Sequence, residues 1–450
     1  MVSTKSLEKT VLTLLEEKKY KELKDIFASM NPVDIAALLS NFSEKNFLLL
    51  FRILPKDLAA ETFVEMDYDQ QEILIGSFSD TELREVVNEL YIDDMVDIVE
   101  EMPANVVKRI LASSDANTRT LINEILKYPP DSAGSIMTTE FISLHSNMTI
   151  AEAIKRIREK GFDSETIDTC YVTDNVRHLL GFVTIRTIIL SDENMKIEDV
   201  MNRNVISVGT TEDQETVANL FAKYDLTVLP VVDNEKRIVG IVTVDDAIDV
   251  LQRETTEDIE KMAAITPTDK PYLKKSTFEI WKTRIPWLLI LMISATFTGM
   301  IISHFEDALK AYVVLTAYIP MLMDTGGNSG SQASVTVIRS LSLNELSFGD
   351  IFRVVWKEFR VSLLSGITLA MVYFVKLILF DRTGIYVSLV ICTTLVLTVF
   401  VAKLVGCIFP MLAKKVGFDP AVMASPFITT IVDAISLLIY FNIAGIILGL

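Results

Sequence analysis

Histidine and cysteine are scarce in this chain, three of each among 450 residues. Cys170, Cys392 and Cys407 form no CxxC pair, and two of them fall in apolar runs. A disulfide framework and a thiolate zinc site are therefore excluded. His145, His178 and His304 show no pairing with a nucleophile, which argues against an enzyme. Positive charge is also short: 42 Lys and Arg stand against 60 Asp and Glu, a net charge of -18. Nucleic-acid binding needs clustered cations, so no nucleic-acid partner is expected. An acidic surface suits metal cations instead. The opening MVSTKSLEKTVLTLLEEKKYKELK lacks the apolar core of a signal peptide, so residues 1–280 are expected to stay in the cytoplasm.

What is present is unevenly spread. Residues 1–280 hold 30 basic and 51 acidic side chains, whereas residues 281–450 hold 12 and 9. The second part is apolar with basic edges. A bilayer needs roughly 20 apolar residues per helix. Five stretches are candidates: 285–304, 312–341, 359–380, 385–412 and 422–448. Lys282 and Arg284 precede the first. Arg339, Arg353, Lys357 and Arg360 lie between the second and third, and Lys414 and Lys415 follow the fourth. Basic ends face the cytoplasm. The reading is a multi-pass protein of the cell membrane with its amino terminus inside and its carboxyl terminus outside.

Residues 1–130 repeat apolar side chains at three- and four-residue spacing, as in ELREVVNELYIDDMVDIVEEM. Short helices stacked into a small superhelix are expected, ended by Pro129 and Pro130. Residues 131–252 contain an internal repeat. One copy opens SIMTTEFISLHSNMTIAEAIKRI and closes LLGFVTIRTII; the other opens DVMNRNVISVGTTEDQETVANLF and closes IVGIVTVDDAIDVL. Met137 corresponds to Met201. Each copy reads strand, helix, strand, strand, helix, and the pair resembles tandem CBS domains, which usually act as sensors, often of adenine nucleotides. Residues 253–280 form a charged, helical connection to the apolar region at 281–450. The fold class is thus multidomain α and α+β.

Three groups of residues invite chemistry. Asp324 and Asp433 are the deepest acids in the candidate spans, where an ionised carboxylate costs roughly 2.5–3.5 kcal/mol and normally faces a cavity or partner. Hydrogen bonds from Thr429, Thr430 or Ser436 to Asp433 are the simpler reading; a pore lining is the preferred one. Around Asp324 runs TGGNSGSQAS. Gly326, Gly327 and Gly330 read either as a packing face or, with Pro320, as a weakened helix whose freed carbonyls join Asn328 as hard oxygen ligands for Mg2+ or Ca2+. The third group is acidic and soluble: Asp93, Asp94 and Asp97; Asp213, Glu215 and Asp225; Asp245, Asp246, Asp249, Glu254, Glu257 and Asp258. A solvated face explains any one run. Three runs on adjoining modules favour carboxylates bridged by a divalent cation.

The whole chain resembles the MgtE family of magnesium channels, most specifically in GGNSGSQAS…VIRSL and DPAVMASPFITTIVDAISLLIYF. The resemblance implies a homodimer with its pore on the two-fold axis and Mg2+ as the transported ion. It implies that Asp433 holds hydrated Mg2+, that Gly326, Gly327 and Asn328 line the pore, and that Asp419 lies near its cytoplasmic mouth. It fixes no role for Asp324. It further implies that residues 253–275 plug the pore, and that Asp93, Asp97, Asp213, Glu215, Asp225, Asp246, Asp249, Glu254, Glu257 and Asp258 sense cytosolic Mg2+. ATP is a further expected ligand: Thr243 and Asp246 fit a ribose-holding Thr-x-x-Asp pattern, and Thr184, Arg186 and Thr187 occupy the matching place in the first copy. Two other functions compete: a proton-coupled cation carrier, which inverted repeats would support, and a membrane nucleotide sensor without transport.

Overall fold

A computed structural model describes residues 4–268, 270, 272–423 and 425–449. The chain divides into two compact units, Met1–Leu251 and Gln252–Leu450.

The first unit begins with ten short helices, from Thr4–Glu16 to Ala116–Ile125. Each ends within a few turns because capping residues recur. Asn31 caps the helix that starts at Pro32, and Ser79 forms a capping box with Glu82. Alternate helices stack: Pro32–Leu39 packs on Lys56–Val64, which packs on Asp80–Val87, which packs on Ala104–Ser113. Their buried stripes, including Ile35, Leu39, Phe63, Leu83 and Ile110, merge into one core. The eighth helix, α1 (Ile92–Glu101), carries Asp93 and Asp94 in its first turn.

The internal repeat folds twice into the same small sheet. In the first copy β1 (Phe141–His145) pairs parallel with β2 (Thr166–Thr173), which pairs antiparallel with β3 (Leu179–Thr184). In the second, β4 (Val208–Gly209), β5 (Val228–Val232) and β6 (Ile238–Thr243) repeat that order, with helix α2 (Gln214–Tyr224) between β4 and β5. The copies clasp each other symmetrically. Thr138 of one pairs with Ile241 of the other, and Asn202 pairs with Phe182. A Cβ on Gly181 would lie 3.1 Å from Met201 Sδ, and one on Gly240 would lie 2.6 Å from Met137 Sδ. Each copy's glycine thus admits the other copy's opening methionine. Helix α3 (Val244–Met262) follows β6 and runs across the division between the units.

The second unit is built on long helices: α4 (Thr277–His304), α5 (Ile319–Ser342), α6 (Ile351–Leu379), α7 (Ile385–Val416) and α8 (Ser425–Leu448). Four of them, α4, α6, α7 and α8, are long and apolar enough to cross a membrane. The stretch expected at 312–341 differs. A 3-10 turn occupies Val313–Tyr318, and α5 has 24 residues but too many polar side chains to pass on hydropathy. It packs instead against both α7 and α8, while α6 packs on α7 and α4 on α8.

Candidate ion path and cation-sensing clusters

Pro320 lies in the first turn of α5, where its missing N–H has no intrahelical role. The helix is continuous to Ser342, so the expected freed carbonyls at Gly326–Gly327 are not found. Packing explains the glycines. A Cβ on Gly326 would sit 2.6 Å from Thr398 Cγ2, and one on Gly327 would sit 2.9 Å from Thr429 Cγ2. Both are buried, on the side of α5 turned to α7 and α8. The opposite side is polar and open: Asp324, Asn328 and Gln332 are exposed at four-residue spacing.

Asp433 is half-buried midway along α8. Asp324 is its electrostatic neighbour. The hydroxyls of Thr429, Thr430 and Ser436 are engaged elsewhere. Thr429 and Thr430 donate to Pro426 O at 2.9 and 3.0 Å, and Ser436 donates to Val432 O at 2.6 Å. Among the described residues, no hydrogen bond reaches the Asp433 carboxylate. The simpler reading of this acid is thereby removed.

The last turns of α3 lie against the polar ends of this helix group. Lys261 Nζ is 2.5 Å from Glu257 Oε1 and 2.7 Å from Asp419 Oδ2, and Asp419 Oδ1 accepts from Ala421 N at 2.8 Å. Ser342 Oγ donates to Asp258 Oδ2 at 3.1 Å, while Met262 packs on Ile338 and Ala421. Burial opposes charge on Lys261, yet Asp419 and Glu257 raise its pKa to about 12. Burial raises Asp258. Glu254 also has an interaction within the chain.

In the first unit, Asp93, Asp94, Asp246 and Glu165 crowd together. Burial, then Asp246, raises Asp93 well above the usual carboxylate range. Burial, Asp246 and Asp97 raise Asp94 to about 7. Burial, Asp246 and Asp94 raise Glu165 to about 8. Asp246 rises to about 6, chiefly by burial, although it accepts from Thr243 Oγ1 at 2.6 Å. Glu65 joins the edge beside Asp249 and Asp245, and Glu140 accepts from Ile92 N at 3.1 Å. The donors are hard oxygens, suited to Mg2+. They are loosely arranged: among the described residues, no three His, Cys, Asp or Glu converge as a metal-holding group.

The middle acidic run does not form one cluster. Asp213 caps α2, accepting from Glu215 N at 2.9 Å and Thr216 N at 3.3 Å. Asp225 ends the same helix in the left-handed region, φ 51°. Eleven residues separate the ends by about 16 Å.

Sequence models of three families match this chain. A divalent cation transporter family, MgtE, matches residues 319–443; the MgtE intracellular N domain matches 30–131; the CBS domain matches 133–193 and 197–253. The magnesium transporter MgtE of Thermus thermophilus is 36% identical over 438 residues, 96% of this chain and 97% of the relative. The chain belongs to the MgtE family. The MgtE magnesium transporter of Bacillus subtilis is 32% identical over 434 residues, 96% of each chain. A crystal structure of the cytosolic domain of the Mg2+ channel MgtE in complex with ATP is similar at a TM-score of 0.51 and 34% identity, covering 54% of this chain and 99% of that one. The soluble part of a magnesium transporter gives 0.52 and 29%, covering 56% and 99%.

MgtE membership and four membrane-length apolar helices make this a multi-pass membrane protein. Within the MgtE chain, sequence reasoning missed Glu65, Glu140 and Glu165. It also missed Lys403 on α7, which is 3.8 Å from Glu358 on α6, both largely buried. A lysine inside a span was a usable signal. Of the nucleotide-binding candidates, Thr243 is buried and bonded to Asp246, whereas Arg186 is exposed.

Proposed function

We propose that the chain is a Mg2+ channel whose opening is suppressed by cytosolic Mg2+. The observation that carries this reading is the Asp433 carboxylate, set in an apolar helix without a protein hydrogen bond and with Asp324 beside it. A charge so placed is retained where water and a cation reach it. Mg2+ dehydrates reluctantly, so it is held through its water. A second copy, related by a two-fold axis, supplies another Asp433 and encloses the open face of α5, with Asp324, Asn328 and Gln332. The amino terminus is cytoplasmic in this arrangement.

The gate follows from charge. At high Mg2+ the acids around Asp94 and Asp246 are bridged and the unit is compact; at low Mg2+ they repel. Mg2+ binds the closed state more tightly and shifts the population toward it. Helix α3 carries both Asp246 and the latch made by Lys261, Asp258 and Glu257. ATP held at Thr243 and Arg186 modulates the same gate, since Asp246 serves the cation cluster.

Voltage-ramp currents from the reconstituted full chain test the conducting role. The reversal potential should track the Mg2+ gradient, and Asp433→Ala should abolish the current. A reversal potential that follows the proton gradient instead would establish the carrier. Unchanged growth at low Mg2+ in Asp433→Ala would leave only a non-transporting sensor.

A further inference from the structure

The charged end of α6 has a chemistry that ion conduction and gating do not use. Twenty residues span the hydrocarbon, and α6 has 29. Residues 361–375 carry no charge. The surplus therefore falls at the amino-terminal end, on residues 351–360. Arg353, Lys357 and Arg360 lie there at four- and three-residue spacing, on one helix face, and all are exposed. The same face continues through Leu364, Ile367, Met371 and Val375, all exposed and apolar. Phe352 and Trp356 flank the cations, and the Arg360 guanidinium lies 5.9 Å from the Trp356 ring.

The local acids neutralise only one of the three cations on this face. Glu358 turns inward toward Lys403. Asp350 pairs with Arg353 at 3.2 Å. Among the described residues, neither Lys357 nor Arg360 has an ion-pair partner. Lys415, from α7, adds a cation 4.0 Å over the Phe348 ring, just before α6. Like charges at this spacing repel each other, so the face calls for an external anion. An apolar stripe ending in tryptophan and arginine sets the level at which that anion lies, the headgroup layer.

We propose that Arg353, Lys357 and Arg360, with Trp356 as the floor, form a binding site for the phosphate of an anionic phospholipid. The site rests on membrane residence alone and is independent of the channel reading. Basic residues near an anionic membrane surface favour it by about five-fold each.

Brominated phospholipids quench tryptophan on contact, and the chain has three tryptophans. The W281F/W287F full-length protein leaves Trp356 as the reporter. In bilayers mixing phosphatidylcholine with phosphatidylglycerol, one or the other brominated, phosphatidylglycerol should be preferred at Trp356, about five-fold for each engaged cation. R353Q/K357Q/R360Q should bring the preference to unity, and R353K/R360K should keep it. Should W281F/W287F fail to fold, the difference between the native chain and W356F reads the same site. Equal quenching by the two lipids in the parent, or a preference that survives the triple glutamine change, overturns the site. So does an absence of quenching by either lipid, since a second copy or another segment would then cover this face.

Discussion

Acids are buried in two ways in this protein. In the 1–251 unit the strongest charges acting on Asp93, Asp94 and Glu165 are other carboxylates, and Asp246 likewise feels Asp245, Asp97 and Asp249. In the 252–450 unit lysines accompany the acids. Glu257 and Asp419 share Lys261, and Glu358 faces Lys403. The first arrangement is completed only from outside, by protons or a cation. The second is balanced permanently by the chain itself. One suits a sensor, the other a latch or a staple. Asp433, with neither a lysine nor a hydrogen bond, belongs with the first kind.

The largest expected effect comes from removing an internal cation. Lys403→Met leaves Glu358 buried and unpaired, and breaking such a pair costs about 3–5 kcal/mol. The detergent-solubilised protein should unfold at a much lower denaturant concentration. K403M/E358M should recover most of the loss, because apolar replacement of both partners is often near neutral. A K403M protein as stable as the parent would show that the pair balances nothing.

The externally balanced cluster should respond to pH and metal instead. Its folded values, about 7 for Asp94 and about 8 for Glu165, lie above ordinary carboxylates. Such groups stabilise the fold at low pH and lose that contribution as pH rises through the folded values. Without divalent ions, the transition of the 1–251 unit within the full chain should therefore fall between pH 5.5 and 8.5. The slope is bounded by about 1.4 kcal/mol per pH unit for each proton released, and partial exposure lowers it. Mg2+ added at pH 8 should restore the transition. D94N/E165Q should flatten both responses. A parent protein indifferent to pH and Mg2+ would remove the distinction between the two kinds of acid.

These contrasts also mark what the sequence made legible. Helical spacing exposed the short helices, and internal similarity exposed the paired sheets, because both signals are local. Asp433 stood out as a charge in an apolar run. Glu65, Glu140 and Glu165 did not, since folding brings them to the first turn of α1 from separate helices and loops. The Lys261 latch was hidden for the same reason, 158 residues from Asp419. Proximity along the chain misled in the other direction for Asp213 and Asp225, which one helix holds apart. Pro320 and the glycines of α5 read as breakers, but tight contacts with α7 and α8 keep that helix whole.

A smaller effect is expected at the latch. Lys261 and Asp419 are partly exposed, so Lys261→Met should cost less than the Lys403 change, about 1 kcal/mol. Its raised pKa keeps the contribution intact below pH 10.5 and loses it only as pH passes about 12. The latch should thus be flat over the range in which the acidic cluster titrates. If cytosolic Mg2+ closes the protein as proposed, K261M should leave residual Mg2+ flux at concentrations that close the parent. Full closure in K261M would assign the gate to the acidic cluster alone.

The smallest effect separates a cap from a ligand. Asp213 accepts two backbone N–H groups at the start of α2, and Asn caps a helix about as well as Asp. Asp213→Asn should therefore change stability by less than about 0.5 kcal/mol, whereas Asp213→Ala should lose about 1 kcal/mol with the cap. Neither should shift the Mg2+ concentration that protects residues 240–268 from protease, a shift that Asp94→Asn should produce. If D213N weakens that protection as much as D94N does, Asp213 is a cation ligand as well as a cap. The externally balanced acids would then extend to α2, well beyond the crowd around Asp94.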